Sequence, residues 1–342
     1  MKVLVTGATG FLGRSVVQAL LKHHHEVRAF VRPGTMDAPF GTDSHVELYR
    51  GDLRAAADLL PAFDGVDVLI HLAAVVSGSD DAQLAGTLVG TERLLDAMSR
   101  SQTNRLVLAS TLSVYDWRAP WFSLTEATPL QSGPLLYRRD GYAISKVWQE
   151  KIVRRQAAKA GWQLTVLRPG FIWGPGNEWC IGAGIDLGRL RVINGPFRRL
   201  PLTYVTNCAN AFAAAAESSM QQETILNVLD SDVVRAWRFA RDYQKTDMVR
   251  RTLIPVPYHL VLGLACCAAI VARLLFGPRY RLPAVLNPLR HRAMFCGLRF
   301  PNERIQEQLG WRPALDYEQS LQHMRSAQPR NGLQRELSAE LQ

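Results

Sequence analysis

Acid is missing from one long stretch of this chain: between Arg250 and Arg299 there are eight arginines and no Asp or Glu. Cysteine is scarce as well. The five present, Cys180, Cys208, Cys266, Cys267 and Cys296, show neither metal-ligand nor disulfide spacing, which argues against a zinc module or a stapled secreted scaffold. With no cleavable signal ahead of the first apolar run, a reducing, cytoplasmic setting is expected, and no metal site. The apolar run Leu260–Ala272 stops at thirteen uncharged residues, short of the roughly twenty that cross a bilayer. No internal repeat is visible. At 47% hydrophobic and 20% charged, the 342 residues can bury a large core, and only the tail 326–342 reads as polar and unstructured.

What is present begins at the amino terminus. Lys2 to Thr6 is a short apolar run, followed by Gly7-Ala8-Thr9-Gly10-Phe11-Leu12-Gly13 and then by helical apolar spacing to Leu21. This is strand, glycine-rich turn, helix. Gly7 permits the tight turn, Gly10 lets backbone N–H groups approach a pyrophosphate at the positive end of the helix, and Gly13 lets helix and strand pack closely. Thr9, Phe11 and Leu12 complete the candidate cradle.

Strands are expected near 26–32, 46–50, 66–71, 105–110, 163–168 and 224–229, with helices near 82–100, 142–160 and 208–219. Such alternation specifies an α/β fold, a doubly wound parallel sheet. Residues 1–170, continued by 205–230, form the dinucleotide-binding part, and 171–204 with 231–325 a smaller, discontinuous C-terminal substrate lobe.

At the end of the second strand, where a carboxylate would accept the ribose 2′-hydroxyl of NAD, stand Val31 and Arg32. A guanidinium pairs with a 2′-phosphate, so NADP(H) is favoured over NAD(H). Asp37 is the competing candidate for the ribose. Asp52 and Leu53 are placed to edge the adenine, and Leu72, Ala73 and Ala74 to let the backbone lie against the cofactor. His71 reads as a packed strand residue, and His23-His24-His25 as a solvated helix end.

Tyr142 and Lys146, four residues apart, share one helix face. At about 5 Å and an effective dielectric of about 20, the ammonium would favour phenolate by roughly 3 kcal/mol, about two pKa units.

Together these motifs resemble the extended short-chain dehydrogenase/reductase superfamily, in its NAD(P)-dependent epimerase/dehydratase and 3β-hydroxysteroid dehydrogenase-like group. The resemblance runs from Met1 to about Met324 and includes Leu167-Arg168-Pro169-Gly170, Pro201-Leu202-Thr203-Tyr204-Val205 and Leu309-Gly310-Trp311-Arg312-Pro313. It implies a Rossmann-type sheet, with Tyr142 as acid/base and Lys146 as the residue that binds the nicotinamide ribose and lowers the Tyr pKa. It further implies that Thr111, with Ser110 as the alternative, bonds the reacting oxygen, and that Pro169 meets the carboxamide. Two departures stand out. Thr87 replaces a common Asn, and Leu112-Ser113 replace the Asp-Glu pair of the sugar dehydratases, which disfavours β-elimination.

Hydride transfer between a secondary alcohol and a ketone is the expected reaction. Trp117, Trp121, Phe122, Tyr137, Trp173 and Trp179 suit a steroid- or lipid-like substrate, whereas Arg189, Arg191, Arg198 and Arg199 suit the diphosphate of a nucleotide sugar and hence an epimerase or reductase. A dinucleotide sensor without turnover is a third reading. Partners are a small-molecule substrate, a homodimer and, through 250–281, an anionic membrane surface; no nucleic-acid module accompanies the charge. For 260–272 two placements stay open: an interfacial helix, or a lobe helix packed on the core with its thiols buried.

Overall fold

The computed structural model describes residues 1–35, 40, 43–55, 57–180, 182–219, 223–245, 250–277 and 286–327. Asp37, Arg279, Arg281 and the tail beyond 327 therefore lie outside the described residues.

Six strands arise in the first half: β1 (Lys2–Thr6), β2 (Glu26–Val31), β3 (Val46–Arg50), β4 (Val68–His71), β5 (Arg105–Ala109) and β6 (Gln163–Pro169). Between them lie α1 (Phe11–Lys22), α2 (Asp80–Ser99) and α3 (Gly141–Ala160). The second half holds β7 (Phe171–Trp173), β8 (Ile185–Leu187), β9 (Leu190–Asn194), β10 (Leu202–Tyr204), β11 (Thr224–Val228) and β12 (Thr252–Val256). Its helices are α4 (Val205–Glu217), α5 (Ala236–Gln244), α6 (Tyr258–Phe276), α7 (Pro288–Phe295), α8 (Glu303–Leu309) and α9 (Tyr317–Ala327).

The main sheet has seven parallel strands in the order β11-β6-β5-β4-β1-β2-β3. Its central strands are apolar between their polar ends because helices cover both faces. On one face α1 and α4 bury Val16, Val17, Leu20 and Phe212; on the other α2 and α3 pack over Leu69, Leu106 and Val166 with Leu94, Met98 and Val153. Each such Val, Leu or Phe contributes about 1.5–3 kcal/mol when fully buried. The strand order reverses between β1 and β4, which opens a crevice at their carboxyl ends.

Local signals set the helix ends. Ser79 caps α2 by accepting from the Ala82 amide, with Asp80 and Asp81 in the first turn. Asp140 caps α3 by accepting from the Ala143 amide, and Gly161 ends it at φ +69°. The histidine triplet is not a free helix end: His23 Nδ1 and His25 Nε2 lie 2.8 and 2.9 Å from Glu217 Oε1, tying α1 to α4, and His25 is buried.

The second body has its own core of Trp173, Tyr204, Phe239, Tyr317, Leu321 and Met324. Two small sheets frame it, β10 with β7 and β12-β9-β8. Trp173 and Trp179 belong here, ring against ring with Tyr204, Phe239 and Tyr243, so neither is a free surface for a ligand. Trp117 is buried against Phe300, while Trp121, Phe122 and Tyr137 are exposed.

Helix α6 departs from the reading of a lobe helix packed on the core, and it is longer than the apolar run. It extends past Arg273 to Phe276, nineteen residues that are long and apolar enough to cross a membrane by length and composition. Only Ala265 and Ala272 are buried along it, so Cys266 and Cys267 are exposed rather than covered.

Candidate active site

The crevice between β1 and β4 gathers the glycine-rich turn. Gly7 holds φ +72°, and a Cβ there would meet the Ala73 amide nitrogen at 3.0 Å. A Cβ on Gly13 would lie 2.1 Å from Gly7 O, which no side chain tolerates. Gly10 is the N-cap of α1, with no side-chain cap and no acid in the first turn, so an anion at that end meets backbone N–H groups and a favourable dipole. Thr9 O is held by Arg14 Nε at 2.9 Å, and Phe11 and Leu12 pack partly against the second body.

Across the crevice, Leu72, Ala73 and Ala74 are half-buried, with the two small alanines where the backbone must come close. Thr87, in the place of the usual Asn, pins this loop: its Oγ1 accepts from the Val75 amide at 3.0 Å. At the adenine edge, Arg32 is exposed at the end of β2 and close enough to Asp52 to help hold its carboxyl below the usual range, after the larger effect of Arg54. Asp52 is engaged by Arg54 through two side-chain hydrogen bonds, and Leu53 is half-buried beside it. These residues fit a nicotinamide dinucleotide: a glycine cradle without Cβ atoms, an uncapped helix end and a cationic lip.

The reacting groups come from β5 and α3. Ser110 and Thr111 leave β5 in opposite directions. Ser110 Oγ is buried and donates to Glu150 Oε2 at 2.6 Å. Thr111 is half-buried, accepts from the Ser113 amide and lies close enough to the Tyr142 side chain to pull its phenol pKa down. Geometry thus separates the two hydroxyls and brings Thr111, not Ser110, to Tyr142.

Burial pushes the Tyr142 phenol above its ordinary value, Thr111 pulls it back and Asp140 raises it again. This corrects the expectation that Lys146 lowers it. Lys146 Nζ instead donates to Ala109 O at 2.7 Å and to Gln149 Oε1 at 2.8 Å, fully inside the fold. Burial pulls the ammonium down to about 8, with Glu150 opposing.

Behind these groups lies a polar layer with no sequence signal of its own. Gln149 Nε2 donates to Thr91 Oγ1 at 2.9 Å and to Ala73 O at 3.3 Å. His71, a packed strand residue as expected, has Nδ1 2.7 Å from Thr6 Oγ1 and Nε2 3.0 Å from Thr91 Oγ1. Glu150, fully buried, pairs with Arg168, whose guanidinium lies over the Tyr115 ring at 4.6 Å. Only the i+3 and i+4 spacing of Gln149 and Glu150 from Lys146 could have pointed to them.

Leu112 is buried among Tyr115, Trp117, Leu229 and Leu298, with Ser113 beside it, so no acid/base carboxylate pair follows Thr111. Pro169 ends β6, buried and paired with Val228 of β11. Of the four arginines considered for a diphosphate, Arg191 is already bound by Asp186 through two hydrogen bonds. Arg198 is buried, donates through Nε to Asn194 O, lies over the Phe295 ring at 5.1 Å and leaves Nη1 and Nη2 without a hydrogen-bond partner among the described residues. Arg189 is exposed and Arg199 half-buried.

Residues 3–245 match the NAD dependent epimerase/dehydratase family. A 4-hydroxy-2-methyl-3-oxo-4-farnesyl-3,4-dihydroquinoline-1-oxide ketoreductase of Stigmatella aurantiaca is 27% identical over 96% of this chain and 97% of its own. A 3 beta-hydroxysteroid dehydrogenase/Delta 5→4-isomerase of Mycobacterium tuberculosis is 27% identical over 94% of this chain and 88% of its own. Among solved structures, the UDP-glucose 4-epimerase of Thermus thermophilus in complex with NAD superposes with a TM-score of 0.66 at 20% identity, covering 96% of this chain and 98% of that one, a likeness of fold. The chain therefore belongs to the NAD dependent epimerase/dehydratase family of the extended short-chain dehydrogenase/reductase superfamily and is an NAD(P)-dependent oxidoreductase/epimerase.

Proposed function

We propose that this chain interconverts a secondary alcohol and a ketone on a hydrophobic, steroid- or lipid-like substrate, with NADP(H) preferred. The observation that carries the reaction is the Thr111–Tyr142 pair without a neighbouring carboxylate pair. When bound, the dinucleotide supplies or accepts the hydride. Thr111 hydrogen-bonds the substrate oxygen, and Tyr142 gives that oxygen its proton in reduction or takes it in oxidation. Lys146 orients the nicotinamide ribose from its fixed position on Ala109 O. Support for a hydrophobic substrate comes from the farnesylated-quinoline ketoreductase and the hydroxysteroid dehydrogenase among the relatives. The aromatic rings contribute little, since Trp117, Trp173 and Trp179 serve packing. For the cofactor, support comes from exposed Arg32 where a ribose-binding carboxylate would stand.

A second reading, nucleotide-sugar epimerisation, is favoured by one observation: the buried Arg198 guanidinium has two nitrogens with no hydrogen-bond partner among the described residues, suited to an anionic group. One experiment separates the two. Purified protein is assayed for net NADPH oxidation with lipid-like and steroid ketones, and in parallel for isomerisation of UDP- and dTDP-sugars. Ketone-dependent NADPH oxidation is expected; isomerisation without net cofactor turnover would replace the first reading with the second.

A further inference from the structure

We propose that α6 is a monotopic membrane anchor that lies within one leaflet of an anionic bilayer. Its contact with the protein is a narrow stripe through Ala265 and Ala272, beside α7. Tyr258, Val261, Leu262, Ala268 and Ala269 are half-buried beside that stripe, and the opposite side is bare: Leu260, Leu264, Ile270, Val271, Leu274 and Leu275 are exposed, Leu264 by 61% and Leu274 by 79%. A helix with so much bare apolar surface is paired with something apolar in its working state. Charge says what. Arg250 and Arg273 are exposed, and the whole stretch from Arg250 to Arg299 carries no Asp or Glu. Arg251 is the exception, since it lies 3.4 Å from Asp186. Cations flanking a bare apolar helix match anionic headgroups above hydrocarbon.

Length alone would permit crossing, since nineteen residues rise about 28 Å. Tethering argues against it. At its start the Tyr258 ring stacks on His291 of α7, centroids 5.2 Å apart, and β12 just before it is paired with β9. After it the chain must rejoin the body by Asn287, whose Nδ2 donates to Arg138 O. Residues 277–287 are the only return path. As a helix they would rise only about 16 Å, and as an extended strand they would carry unpaired amides and two arginines through hydrocarbon about 30 Å thick. The helix therefore enters and leaves from one side.

Flotation of the full chain with phosphatidylglycerol-rich and with phosphatidylcholine vesicles tests this. Flotation with the former, little with the latter, and loss as salt rises are expected. The double variant Leu264→Glu, Leu274→Glu alters only outward positions, so flotation should be abolished with melting temperature and NADPH binding unchanged. Arg273→Gln should weaken vesicle binding about fivefold. Failure of the unmodified chain to float, or flotation retained by the double variant, overturns the proposal. So does a lipid-free dimer that the double variant splits while neither protein binds vesicles, because the face would then belong to a second copy.

Discussion

Gln149 joins the buried ammonium of Lys146 to the rest of the site: Lys146 Nζ donates to its Oε1 at 2.8 Å, while its Nε2 holds Thr91 and the Ala73 carbonyl. One amide thus fixes both the lysine and the loop lining the cofactor crevice. With burial already holding Lys146 at about 8, turnover should fall as pH rises through that value and the ammonium is lost. Gln149→Leu removes an acceptor that favours the charged form, so the alkaline limb of the kcat/KM profile should move to lower pH. Gln149→Glu should move it back up. A variant that is merely slower, with its limb unmoved, would reduce Gln149 to packing.

The two adjacent hydroxyls make opposite predictions. Thr111→Ala should lower kcat, and Tyr142→Phe should lower it by at least ~10²-fold with cofactor affinity nearly intact, the usual scale for lost acid/base help. Ser110→Ala should act on stability instead, by about 1–3 kcal/mol, because it strips a hydrogen bond from the fully buried Glu150. Steady-state kinetics and urea melts on the same three proteins decide, and a larger rate loss for Ser110→Ala would reassign the reacting hydroxyl.

What was legible in the sequence follows from periodicity and turn chemistry. Strands β3, β5 and β6, and the helices around Tyr142 and Asp80, were found to within a residue or two because buried parallel strands and capped helices leave local patterns. For the Tyr142 pKa, burial reverses the sign that helical spacing predicts. Helical spacing puts Lys146 on the same face, but only the tertiary packing shows that Ala109 O and Gln149 capture the ammonium and that burial governs the phenol. Trp173 and Trp179 belong to the core rather than to a ligand surface, a choice the sequence leaves open for the same reason: composition reports aromatic density, not which rings face one another. Helix α6 was cut short at Arg273 because a charge ends an apolar run but not a helix.

Cofactor choice rests on Arg32, exposed beside Asp52 at the lip of the crevice. NADPH should bind more tightly than NADH, and Arg32→Ala should weaken NADPH about tenfold while leaving NADH nearly unchanged, as expected for one charge-assisted contact to a 2′-phosphate. Titration by fluorescence gives both constants. Equal affinities in the unmodified protein would remove the preference.

Acid stability provides the last test, through His71. Burial, with a smaller push from Lys146, lowers this imidazole from 6.5 to about 3. Above pH 6.5 the ring is neutral in both the folded and unfolded chains and contributes no pH dependence. Below it the unfolded chain takes up a proton that the folded one refuses until about pH 3, so stability falls with pH across that window. Between pH 7 and 5 the loss amounts to about 2 kcal/mol. Asp230 works in the opposite direction: burial raises its carboxyl to about 7, so its protonation adds stability as pH falls. The two effects oppose each other in the total acid sensitivity, and comparing two proteins that share Asp230 isolates His71. His71→Asn should be less stable at pH 7, having lost contacts to Thr6 and Thr91, yet its urea midpoint should fall less between pH 7 and 5 than that of the unmodified chain. Parallel slopes for the two proteins would mean that His71 is solvated enough to titrate normally, and that the polar layer behind Lys146 is open to water.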